Sequence, residues 1–105
     1  MTAFAEYNGC KAQISCRYEP WEFKKDSKLR KLYSEAFCER FGREIKVSAI
    51  HAGLECAVFA GEIEGLDCIS VGPDMFDVHT VNERLSISSA AEIFELLCDV
   101  LKKCK

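Results

Sequence analysis

The chain has no excess of positive charge: 14 lysines and arginines stand against 17 aspartates and glutamates, for a net charge of −3. No basic stripe follows any helical face, so the electrostatic footprint of a DNA- or RNA-binding surface is missing. No apolar run approaches the roughly 20 residues needed to cross a bilayer. Met1 to Asn8 lacks the basic and apolar regions of a signal peptide, so neither membrane nor secretion is expected, and the cytoplasm is the expected setting. No G-x-G-x-x-G or P-loop run occurs, which excludes a glycine loop built to cradle phosphate. There is no internal repeat and no low-complexity tract.

What is present fits one globular domain. At 105 residues, with 49% apolar and 30% charged residues, the chain can bury a modest core, though its surface is large for its volume. Seven cysteines stand at positions 10, 16, 38, 56, 68, 98 and 104. None forms a C-x-x-C pair, so the short paired spacings of a structural zinc site are absent. Cysteine packs as a small hydrophobe, and these are expected to be free, mostly buried thiols in a reducing compartment.

Periodicity gives the order of elements. Met1–Asn8 is weakly helical and stops at Gly9. Lys11–Tyr18 alternates as a strand does, and Pro20 closes it. Asp26 or Ser27 can cap a helix whose apolar stripe is Leu29, Leu32, Tyr33, Ala36, Phe37 and Phe41, ended by Gly42. Ile45–Ile50 and Leu66–Val71 are short apolar runs that read as buried strands, with a brief helix between them stopped by Gly61. Arg84–Ile87 reads as a short strand. Ser89-Ala90-Ala91-Glu92 has capping-box spacing, opening a helix with Ile93, Phe94, Leu97, Val100 and Leu101 on one face. The alternation predicts an α/β fold with a mainly parallel or mixed sheet flanked by helices. In such folds working residues lie beyond the carboxyl ends of strands.

Both histidines meet that condition. His51 follows the run ending at Ile50, and His79 follows Gly72-Pro73 and a short polar-apolar stretch. A neutral imidazole is a good zinc ligand, but a hydrolytic zinc needs three protein ligands and an open position. On its own, a loop histidine such as His79 is more often an exposed turn residue than a ligand. His51 can act as a cation when protonated, donate one hydrogen bond when neutral, or be a structural histidine held by a carbonyl. Gly53, lacking a Cβ, leaves room for close approach or simply makes a turn. Glu55 can orient His51 or a bound amine, or simply lie at a helix start where the dipole favours it. Glu83 can support a ligand or fix its turn.

The segments Ala49-Ile50-His51-Ala52-Gly53-Leu54-Glu55-Cys56 and His79-Thr80-Val81-Asn82-Glu83 together resemble the C-terminal part of the catalytic domain of aminoacyl-histidine dipeptidases (peptidase D). That family lies within the carnosinase and glutamate-carboxypeptidase superfamily. Tyr18-Glu19-Pro20-Trp21 is similar to a Tyr-Pro-Gly-Trp run joining lid and catalytic domains, with the Gly lost and the Pro shifted. The likeness spans roughly Lys11 to Lys103. The peptidase D motif more often reads His-Ser-Pro-Asp-Glu, so Val81 and Asn82 depart from it.

The resemblance implies that residues 1–105 are one domain, the C-terminal portion of a zinc-dipeptidase catalytic domain, with residues 1–20 as the connection from the lid. It implies two zinc ions per complete enzyme, His79 as a metal ligand, and His51 and Gly53 at the substrate, a short peptide such as Xaa-His. Glu55 and Glu83 would be supporting carboxylates. None of the 105 residues is expected to be the general base, which the resemblance assigns to an N-terminal half. The chain alone is therefore expected to bind zinc weakly or not at all, to be inert, and to dimerise through surfaces the rest of the enzyme would cover. The alternative is a non-catalytic α/β binding or interaction module derived from such a peptidase.

Overall fold

The computed structural model describes residues 1–15, 20–50 and 52–104. In order they form α1 (Thr2–Tyr7), α2 (Lys28–Phe41), α3 (Glu55–Glu62), β1 (Met75–Phe76), β2 (Arg84–Leu85) and α4 (Ile87–Lys103). α1 ends as its sequence suggests, at Gly9 with φ +69°.

The core is a helix pair. α2 contributes Tyr33, Ala36 and Phe37, and α4 contributes Leu96 and Val100; Leu29, Leu32, Phe41, Ile45, Ile69 and Ile93 pack around them. The apolar stripe read along α2 is the face it buries. Ser27, not Asp26, caps the helix: its hydroxyl accepts from the Arg30 N–H at 2.9 Å. Gly42 closes it in the left-handed conformation at φ +66°, which a residue with a Cβ adopts only at a cost. Arg40 joins the two helices outside the core by pairing with Glu95 and Asp99.

α4 departs from its expected form twice. It begins at Ile87, capped by Ser86, whose hydroxyl accepts from the Ser89 N–H at 3.3 Å. Ser89 is therefore the third residue inside the helix rather than its cap. Its buried hydroxyl instead accepts from the Asp74 N–H at 2.9 Å and anchors the preceding loop. The buried face follows Ser89, Ile93, Leu96 and Val100, with Leu96 fully enclosed. Phe94 and Leu101, expected inside, are 68% and 69% exposed. The helix has two apolar stripes, and only one meets α2.

The expected strands at Ile45–Ile50 and Leu66–Val71 are without regular structure, as is Lys11–Ser15. A strand draws its hydrogen bonds from a neighbour, and among the described residues none pairs with these. The rest of the first expected strand, residues 16–19, lies outside the described residues. The sheet among the described residues is the antiparallel pair β1–β2, with Met75 opposite Leu85 and Phe76 opposite Arg84. The molecule extends 58 × 38 × 20 Å with a radius of gyration of 18.5 Å, against about 13 Å for a compact domain of this length.

The cysteines also differ from expectation. Of the six described, all free, Cys10, Cys38 and Cys104 are exposed, and Cys56, Cys68 and Cys98 are half-buried.

Candidate functional site

The hairpin between β1 and β2 presents His79. Asp77 and His79 both adopt left-handed backbone, with φ +51° and +66°. Such values are uncommon outside glycine, though Asp and His enter this region more readily than most residues. Local polar groups hold them there. The Glu83 carboxylate accepts from the His79 backbone N–H at 2.7 Å. The Asp77 carbonyl accepts from the Thr80 hydroxyl at 2.7 Å and the Thr80 N–H at 3.2 Å. The Thr80 hydroxyl in turn accepts from the Asn82 N–H at 3.1 Å. Arg84 closes the base by pairing with Asp77, its guanidinium 5.2 Å above the Phe76 ring.

Each polar residue of the His-Thr-x-Asn-Glu run thus has a place in the turn. Glu83 fixes the backbone that carries the imidazole. The imidazole itself is exposed. Sequence reading missed Asp77 and Arg84, although an Asp and an Arg flanking a hairpin loop are a cross-strand charge pattern that could have shown them.

Gly53 belongs to a different region. It lines an open cleft of about 680 Å³ with Trp21, Tyr33, Ile45, Val47, Leu54, Ala57 and Ile69 among its walls. Burial pushes the Tyr33 phenol above its ordinary pKa. Glu55, exposed, lies in the first turn of α3, where the helix dipole favours a carboxylate. His51 lies outside the described residues, so its relation to Gly53, Glu55 and His79 does too. His79 is not among the cleft's described walls.

Another carboxylate, also missed from sequence, organises the cleft's edge. Half-buried Asp67 accepts from the Leu29 N–H at 3.0 Å and so binds the amino end of α2. That hydrogen bond, with the Ser27 hydroxyl beside it, holds Asp67 below the usual carboxylate range. Lys24 reaches the same corner and donates to the Gly65 carbonyl at 3.2 Å.

The described residues do not by themselves gather a zinc site. Among the described residues, no group of three or more His, Cys, Asp or Glu side chains is gathered where it could hold a metal ion. Near His79, Asp77 is taken by Arg84 and Glu83 by the His79 N–H. One imidazole falls short of the three or four ligands zinc requires.

The chain is 30% identical over 95 residues to the cytosol non-specific dipeptidase of Escherichia coli (strain K12). The match takes in 90% of this chain and 20% of that protein. This likeness points to a dipeptidase-related origin. The chain therefore spans about a fifth of the length of the curated relative it matches. No protein-family model and no solved structure matches it. No helix among the described residues is long and apolar enough to cross a membrane.

Proposed function

We propose that these 105 residues form the C-terminal part of the catalytic domain of a zinc metallodipeptidase acting on Xaa-His or similar short peptides. The observation that carries this reading is the likeness to a dipeptidase along nine-tenths of the chain. In the complete enzyme His79 supplies one metal ligand, and the remaining ligands and the general base come from residues beyond these 105. Glu83 contributes by setting the backbone from which the imidazole projects. His51 and Gly53 meet the substrate, with Glu55 beside them. Ile45–Ile50 and Leu66–Val71 become strands of a mainly parallel sheet once neighbours are supplied.

The extended shape and bare apolar side chains support a part rather than a whole. The setting is cytoplasmic, by analogy with a relative named for the cytosol. The chain alone is inert and pairs with a second copy.

A chimera tests the reading. The stretch of the E. coli dipeptidase matched here is replaced by this chain, and histidine release from Gly-His and carnosine is followed. Activity that disappears on His79→Ala is the expected result. A folded chimera that is inactive, or one whose activity survives His79→Ala, would count against the assignment.

A further inference from the structure

Cys56 and Cys68 stand 12 positions apart, yet each sulfur lies against the backbone of the other's segment. The Cys68 Sγ lies 3.9 Å from the Cys56 carbonyl oxygen. The Cys56 Sγ lies 4.0 Å from the carbonyl oxygen of Ile69, next to Cys68. The two elements thus exchange sulfur contacts in both directions. Both thiols are free and half-buried. Cys68 also lines the 680 Å³ cleft and a second open cavity of about 370 Å³ beside Trp21, Lys24 and Gly61. A small polar oxidant therefore reaches the Cys68 side of the pair from both cavities.

We propose that Cys56 and Cys68 form a dithiol site that closes reversibly to a disulfide when it meets a peroxide. Burial, and then the neighbouring Cys56 thiol, raise the Cys68 pKa and keep it protonated. In this sequence Cys56 attacks first and Cys68 resolves. Its thiolate takes the terminal oxygen of hydrogen peroxide: an S–O bond forms, the O–O bond breaks, and the expelled hydroxide leaves as water after gaining a proton. The Cys68 sulfur then attacks the sulfenic sulfur of Cys56. An S–S bond forms, the S–O bond breaks, and a second water departs with the Cys68 proton. Two thiols are oxidised and one peroxide is reduced.

The closed bond would tie the first turn of α3 to the apolar segment at 66–71. Leu54, Ala57 and Ile69, all cleft walls, then move as one unit. A thiol reductant reopens it.

The intact chain is treated with stoichiometric hydrogen peroxide, alkylated, and cut with a Glu-specific protease. Glu62 and Glu64 lie between the two cysteines, so cleavage there leaves peptides joined only through the new bond. The expected result is that linked pair, lost on treatment with dithiothreitol, whereas urea-unfolded chain yields mixed pairings. In Cys56→Ser, Cys68 should be recovered as an alkylated thiol. Phenylarsine oxide, which bridges two nearby thiols, should shield both from N-ethylmaleimide in the unsubstituted chain. Native and unfolded chain giving the same mixture, or no shielding by the arsenical, would overturn the proposal.

Discussion

The carboxylate of Asp67 accepts a hydrogen bond from the backbone N–H of Leu29 across 38 positions of sequence. Through that bond the segment after α3 is fastened to the start of α2. Ser27 caps the same helix end from within, so α2 begins on two acceptors.

Removing the distant acceptor should weaken the helix pair. Asp67→Ala is expected to cost about 1–2 kcal/mol, the range for a lost helix cap. Urea denaturation at pH 7 followed by far-ultraviolet dichroism measures it. An unchanged midpoint would show that the bond does not contribute.

The same group sets a pH dependence. Asp67 is held low by the Leu29 hydrogen bond, and Asp99 by Arg40 and then Lys102. A carboxylate with a depressed folded pKa stabilises fully above its unfolded value, near pH 4, and that stability is lost as pH falls through the folded pKa. Stability should therefore be level from pH 7 to about 5 and fall below pH 4. Asp67→Asn should flatten part of the fall. Denaturation midpoints along a pH series decide it.

Leu96 is the best-enclosed apolar side chain among the described residues. Leu96→Ala is expected to cost about 3 kcal/mol through lost burial and the cavity left behind, whereas Phe94→Ala should cost under about 1 kcal/mol. Thermal melts of the two variants separate these cases. Equal losses would mean that the exposed stripe is covered in solution.

Coverage by a second copy is itself expected. Phe94 and Leu101 on α4, and Val58, Phe59 and Ile63 on or just beyond α3, are all at least half exposed, and bare apolar side chains in this number promote association. Light scattering over a dilution series should show a dimer dissociating as concentration falls. A strictly monomeric chain at high concentration would contradict it.

At the hairpin, His79→Asn should be tolerated and His79→Val should cost about 1–2 kcal/mol, because the left-handed backbone disfavours a β-branched side chain. Glu83→Ala should speed exchange of the His79 amide about tenfold, the worth of one ordinary hydrogen bond. Hydrogen exchange followed by NMR measures the second effect directly.

The legible part of this fold was local. The stripe and stop of α2 follow from i, i+3 and i+4 spacing and from Gly42, and a short strand at Arg84 was visible as such. Less legible was anything that depends on a neighbour. Ile45–Ile50 has the composition of a strand, but a strand exists only when another lies beside it. α4 carries two apolar stripes, and spacing alone does not choose which one meets α2. Asp67 was invisible because its partner is a backbone group on a distant element. At the hairpin, the sequence named Glu83 but not the atom it holds.

The restraints that shape the His79 turn come from Asp77, Thr80, Glu83 and Arg84, all within eight consecutive residues. That makes the turn a portable unit. Transplanted onto another tight antiparallel hairpin, residues 77–84 should carry their imidazole in the same attitude, independent of the scaffold beneath. The piece proposed to supply a ligand is then one whose shape is set mostly within itself.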